Sequence, residues 1–229
     1  TGAGKTYIVA ETACQMPDYS LFVTSPKATL TPWKRVLEEY GLTSRTLAVL
    51  NWEKLMTKKT KWYTDTGWKL PEKTLFVADE VHKGASGPNS ITSKMLAALK
   101  IRRIPIILQS ATVADNPLKL RASGYLLGLH EFNTRSYFNW CRRWGCYNSP
   151  FHSGLEFPKN KRGTELMRKL YEEHLKDRML RCTFDDIPGF PDCDTEAVLF
   201  DLDKKYTDEV NQIYEELEAE LKKPQVNPD

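Results

Sequence analysis

The sequence predicts an α/β fold: a parallel sheet with helices on both faces, joined to a mostly helical insertion. Three observations carry this. Short, nearly continuous apolar runs occur at 21–24, 46–50, 74–78 and 104–108, as expected of parallel strands buried on both faces. Helical patterns lie between and after them at 32–40, 52–56, 90–100 and 117–127, the alternation of a layered α/β domain. The chain also opens on a glycine-bearing turn that leads at once into Ile8, Val9 and Ala13, apolar positions that suit a helix packed on a sheet. In such sheets, ligand-handling residues gather just past the C-terminal ends of the strands.

Composition sets the outer bounds. The chain has 229 residues, 33 basic and 30 acidic side chains and a net charge of +3. That balance points to no polyanionic partner by itself and leaves room for a local basic patch. No stretch approaches the roughly 18 apolar residues of a membrane-spanning helix, and the N-terminus lacks the charged-then-apolar pattern of a secretory signal. Five cysteines, an odd number, read as free thiols in a reducing interior and not as a disulfide framework.

The first element is the turn Thr1-Gly2-Ala3-Gly4-Lys5-Thr6. It matches the end of the phosphate-binding (Walker A) pattern G-x-x-x-x-G-K-[ST]. Aligned this way, the first two motif positions and the strand that feeds such a loop fall before Thr1, so the chain is expected to be a fragment. Gly2 and Gly4 allow a sharp turn and close approach to phosphate oxygens. The N–H groups from Gly2 through Ala3, Gly4, Lys5 and Thr6 form an anion nest. Lys5 reaches the β- and γ-phosphates, and the Thr6 hydroxyl ligates magnesium.

The run at 21–24 ends in Thr24-Ser25-Pro26-Lys27, and the helix at 32–40 follows. The run at 46–50 ends in Asn51-Trp52. Next comes a stretch with Lys54, Lys58, Lys59, Lys61 and Lys69 interleaved with Trp62, Tyr63 and Trp68. It reads as a solvated loop, with an aromatic–basic nucleic-acid surface as the competing reading. The run at 74–78 is the most informative, because it ends in Asp79-Glu80-Val81-His82. In a phosphate-loop ATPase the first carboxylate holds magnesium and the second orients the attacking water, so Thr6 and Asp79 can share one ion beside Glu80. The run at 104–108 leads into Gln109-Ser110-Ala111-Thr112, whose hydroxyls either hydrogen-bond the acidic motif or cap a turn.

After Gly128 the pattern changes. Residues 130–157 are rich in aromatics, 164–176 reads as an amphipathic helix, 187–191 as a breaker, 196–202 as a strand and 204–223 as a charged helix before a polar tail. The expected division is 1–128, 129–191 and 192–229. His130, Cys141, Cys146 and His152 lie close in sequence, but no C-x-x-C knuckle occurs; free thiols are the reading preferred over structural zinc.

G-A-G-K-T, then D-E-V-H, then S-A-T, in this order and spacing, resembles motifs I, II and III of superfamily-two helicases and translocases. Thr24-Ser25-Pro26-Lys27 with Leu30, Trp33 and Leu37 is similar to the strand-end motif of the Swi/Snf-type branch. Val49-Leu50-Asn51-Trp52-Glu53-Lys54-Leu55 and the segment from Arg178-Met179-Leu180-Arg181-Cys182-Thr183 to Ile187-Pro188-Gly189-Phe190-Pro191 also look like that branch.

The resemblance implies a RecA-like first lobe of an ATP hydrolase, a DExH-box helicase or translocase that uses ATP and magnesium. Lys5, Asp79, Glu80 and His82 would be catalytic, His82 relaying the state of the γ-phosphate. Ser110 and Thr112 would couple that site to a second one. Pro26, Lys27 and Asn51, with Lys119 and Arg121 as further candidates, would contact the backbone of DNA without reading sequence. A second RecA-like lobe would complete the ATP site, since residues 196–229 are too few to form one. Such a protein is expected inside cells, cytoplasmic or nuclear, including a viral protein acting in a host cell. An RNA helicase and a nucleic-acid-binding scaffold with a vestigial ATP site are the alternatives. The S-A-T triplet leans to RNA; the Trp33 helix and the 178–191 segment lean to DNA.

Overall fold

The computed structural model describes residues 4–84, 90–111, 114–151, 153–181, 186 and 203–221. The chain divides into two units, 1–186 and 187–229.

In the first unit α1 (Lys5–Cys14), β1 (Ser20–Ser25), α2 (Leu30–Glu39), β2 (Thr46–Asn51) and α3 (Trp52–Met56) follow one another. A short hairpin, β3 (Tyr63–Thr64) and β4 (Gly67–Trp68), precedes β5 (Thr74–Ala78). Then come α4 (Val81–Gly84), α5 (Ile91–Ile101) and β6 (Ile106–Leu108). The main sheet has the order β2-β1-β5-β6 and all three pairings are parallel. The register aligns Ser25 with Asn51, Thr24 with Ala78, and Ala78 with Leu108. The C-terminal ends of the four strands therefore form one rim.

Side-chain alternation along the two inner strands explains why helices cover both faces. Leu21, Val23, Leu75 and Val77 pack with Val9, Ala13, Trp33, Val36 and Leu37 of α1 and α2. Phe22, Phe76 and Ala78 pack on the other face with Trp52, Leu55, Met95, Leu96 and Leu99 of α3 and α5. All five residues of β5 are buried, so its sequence shows no polar alternation.

Beyond the sheet lie α6 (Arg121–Leu126), α7 (Thr134–Arg143), a second hairpin of β7 (Tyr147–Asn148) and β8 (Leu155–Glu156), and α8 (Lys161–Leu170). They enclose a third apolar cluster around Leu120, Tyr137, Trp140, Cys141, Leu170 and Leu175. In the second unit, α9 (Lys204–Leu221) carries a stripe of exposed Tyr206, Val210, Ile213, Tyr214 and Leu217. Among the described residues no helix is long and apolar enough to cross a membrane.

Several expected boundaries move for local reasons. The run at 104–108 becomes strand only from Ile106: Pro105 has no N–H to give, although its carbonyl accepts from Phe76. The pattern at 117–127 splits into a 3₁₀ turn at Pro117–Lys119 and α6. The helix expected at 164–176 starts at Lys161, because Asn160 Oδ1 caps the N–H groups of Arg162 and Gly163. It gives way to a π turn at Tyr171–Leu175. The strand expected at 196–202 lies outside the described residues.

β6 is an edge strand among the described residues. A groove of about 670 Å³ runs beside it, walled by Ile8 and Thr12 of α1, by Ile106 and Leu108, and by Leu126 and Leu127.

Candidate functional site

Gly4 is the N-cap of α1, with a left-handed φ of 68° and no side chain to cap the helix. The first N–H groups of this ten-residue helix thus face the rim without intrahelical acceptors. Gln109, just past β6, donates from Nε2 to the Lys5 carbonyl at 2.6 Å, which fastens the turn to the rim. The Lys5 side chain reaches across to the end of β5, where its Nζ lies 3.5 Å from Glu80 Oε1.

From Glu80 the polar contacts continue. Its Oε2 lies 3.2 Å from His82 Nδ1, and His82 Nδ1 lies 2.6 Å from Ser110 Oγ. The His82 ring thus sits between a carboxylate and a hydroxyl. Glu80 holds a left-handed backbone, φ 46°, a conformation that costs a non-glycine residue about 1–3 kcal/mol. The chain on either side of it is pinned: Asp79 N–H donates to Thr24 O at 2.8 Å and Val81 N–H to Gln109 O at 3.0 Å.

Asp79 is buried, 6% exposed. Burial raises its carboxyl above the ordinary range, and a hydrogen bond from Trp33 opposes that rise. Trp33 Nε1 donates to Oδ2 at 2.9 Å, the Glu80 N–H donates to Oδ1 at 3.0 Å, and Trp52 Nε1 donates to the Asp79 carbonyl at 3.1 Å. The carboxylate is held at both oxygens by neutral donors, with no lysine or arginine bonded to it among the described residues.

The donor set suits a hard divalent cation with a triphosphate. It combines a carboxylate, the Thr6 hydroxyl in the first turn of α1, a lysine and a helix N-terminus. Lys5, Glu80, His82 and Ser110 are joined by contacts at the strand ends, with Asp79 directly before Glu80 and Thr6 directly after Lys5 in the chain.

No family model matches the sequence. Over 155 residues the chain is 27% identical to a protein of Acanthamoeba polyphaga mimivirus named as an ATP-dependent RNA helicase. That stretch covers 56% of this chain and 28% of the relative, so the chain matches under a third of the relative's length. With the parallel sheet, the likeness supports a helicase-like RecA fold.

The remaining predicted residues divide. Pro26 is half-buried and Lys27 exposed just beyond β1, where Ser25 Oγ and Thr29 Oγ1 close a tight turn at 2.6 Å. Asn51 ends β2 and caps α3, accepting from the Lys54 N–H at 3.2 Å. Gly2, Ala3 and Thr112 lie outside the described residues.

Arg121 corrects the expectation of a phosphate contact. It is 6% exposed, donates to Phe132 O at 3.0 Å and lies against the Phe132 and Tyr137 rings; apolar packing has taken its stem and head together. Lys119 is exposed and paired with Asp115 at 2.8 Å. The aromatic–basic stretch keeps its lysines exposed but loses Trp68 to the core. Trp68 is buried, stacks edge-on with Phe22 and Phe76 and donates to Met95 O, while Trp62 packs on Phe22.

Cys141 and Cys146 are buried free thiols. Both ring nitrogens of His130 meet backbone carbonyls, of Glu131 and Leu120. His152 lies outside the described residues. Sequence reasoning gave no site role to Trp33, Trp52 or Gln109, since buried tryptophans after a strand carry no signature separating a packing ring from a carboxylate donor.

Proposed function

We propose that this chain is the first motor lobe of a superfamily-two helicase or translocase that couples ATP hydrolysis to movement on DNA. The observation that supports it best is the continuous set of contacts Lys5–Glu80–His82–Ser110, which joins a phosphate-loop turn to an acidic box on one rim. Residues 1–128 make the ATP-binding lobe, 129–191 an insertion, and 192–229 the path toward a second RecA-like lobe. Such a motor works inside cells, a viral protein in its host included.

Magnesium, when bound with ATP, supplies charge neutralisation on the phosphates, held by Thr6 and Asp79. Lys5 exchanges Glu80 for phosphate oxygens. Glu80, released from Lys5, accepts a hydrogen bond from the attacking water and orients it. His82 keeps Glu80 aimed and passes its state to Ser110. Pro26, Lys27 and Asn51 meet the nucleic-acid backbone at the neighbouring strand ends. The second lobe contributes an arginine finger, an element worth roughly 10³–10⁵ in turnover.

The test is hydrolysis by a protein carrying both lobes, with duplex DNA, single-stranded DNA and RNA compared as stimulants. Lys5→Ala and Glu80→Gln are expected to lower turnover by about a thousandfold or more. Function that persists in both variants would overturn the motor reading in favour of a scaffold. Residues 1–229 alone are expected to bind ATP weakly and hardly hydrolyse it; strong stimulated hydrolysis by them would overturn the two-lobe arrangement. The name of the mimivirus relative favours a second reading, movement on RNA, and stimulation by RNA over both DNA forms would decide for it.

A further inference from the structure

Two buried indoles converge on Asp79 from different directions. Trp33 lies on α2, which follows the Pro26–Lys27 segment at the end of β1, and it donates to the carboxylate at 2.9 Å. Trp52 is the residue after Asn51 at the end of β2, and it donates to the main-chain carbonyl at 3.1 Å. Both rings are nearly inaccessible, 1% and 4% exposed. Each strand end offered above as a phosphate contact is thus followed, within one element, by an indole N–H bonded to Asp79. Packing alone does not require this convergence: Trp68, also buried, sends its N–H to a helix carbonyl, Met95 O.

We propose that Trp33 and Trp52 form a two-point clamp through which nucleic-acid binding at the ends of β1 and β2 sets the position of Asp79, and so the affinity for magnesium–nucleotide. The inference rests on the motor reading and adds the route of its coupling. Backbone phosphates engaging Lys27 or Asn51 shift the first turn of α2 or α3. Those turns carry the indoles, and the indoles move the carboxylate and its peptide. Trp33 and Trp52 are positioning residues; neither touches nucleotide. Because linkage is reciprocal, bound nucleotide tightens the grip on nucleic acid by the same factor.

The test uses the full chain. Binding of a non-hydrolysable ATP analogue with magnesium is titrated with and without oligothymidylate, in wild type and in Trp33→Phe, Trp52→Phe and Trp68→Phe. Each variant keeps a ring and loses one buried N–H. The oligonucleotide is expected to raise analogue affinity at least about fivefold in wild type. That ratio falls to near one in Trp33→Phe and Trp52→Phe and is kept in Trp68→Phe.

A ratio retained by the first two variants, or lost equally in the third, overturns the clamp and leaves the motor reading standing. A wild-type ratio of one does the same. A wild-type chain that binds neither ligand overturns both. Where a variant fails to fold, the wild-type indole N–H resonances decide: those of Trp33 and Trp52 must move when oligothymidylate is added without nucleotide while that of Trp68 stays, and an unmoved pair overturns the proposal.

Discussion

His130 shows at the scale of one residue how packing has replaced chemistry. Its ring packs at a tilt against Tyr137 and Trp140 at centroid distances of 5.1 and 5.0 Å, and burial lowers its pKa below the ordinary 6.5. Two backbone carbonyls facing the ring nitrogens oppose that shift without cancelling it. The unfolded chain takes up a proton first as pH falls, so the contribution of His130 to stability is full above about pH 6.5 and is lost as pH falls through its lower folded value. Melting temperature followed from pH 7.5 to 5 should fall, and His130→Gln should flatten that fall; an unchanged slope would show that other groups titrate there. The room for this ring comes from Gly124, where a Cβ would stand 2.8 Å from His130 Nε2. At this scale the sequence named Lys5, Glu80 and His82 as neighbours, and the fold brings them into contact. It gave Trp33 no bond to the carboxylate and cast Arg121 as a backbone contact, where the fold buries it. A tryptophan or arginine looks the same in sequence whether its polar end meets solvent, a carboxylate or a ring, and only the fold chooses.

Among elements, the parallel strands were legible because burial on both faces writes an uninterrupted apolar run, as in Thr74–Ala78. The two-residue hairpin strands β3, β4, β7 and β8 were not, since pairs of this length leave no periodicity to read. Helix α8 yields a sharper statement. Glycine inside a helix ordinarily costs about 1 kcal/mol relative to alanine, so Gly163→Ala would be expected to stabilise. Here an added Cβ would stand 1.9 Å from the Pro158 carbonyl oxygen, a main-chain atom that cannot turn away. The sign reverses. Gly163→Ala should destabilise by about 1–3 kcal/mol, measured by denaturant unfolding, and should loosen the packing of Leu170 and Tyr137 in the third apolar cluster. A stabilised variant would mean that the Phe157–Pro158 segment is free to move aside.

For the first unit as a whole, the decisive feature is the unequal state of its sheet edges. Parallel strands are stable when both faces and both neighbours exclude water, and β5 meets that condition. β6 does not: Ile106, Ile107 and Leu108 are only half-buried and face the groove beside them. Lys5 stands at the C-terminal end of β6, tied there by Gln109, and α1 forms one wall of the groove through Ile8 and Thr12. A strand entering the phosphate turn from the far side of the sheet would run along β6, parallel to it, and cover those side chains. A strand added along β6 by an N-terminal extension should therefore raise the melting temperature and lower binding of an apolar dye. Slower hydrogen exchange at Ile107 is expected with it, since that edge would gain a hydrogen-bonded neighbour. An extension that leaves exchange at β6 and dye binding unchanged would show that the groove serves another occupant. The turn at Gly4–Lys5 would then be held in place by Gln109 and α1 alone.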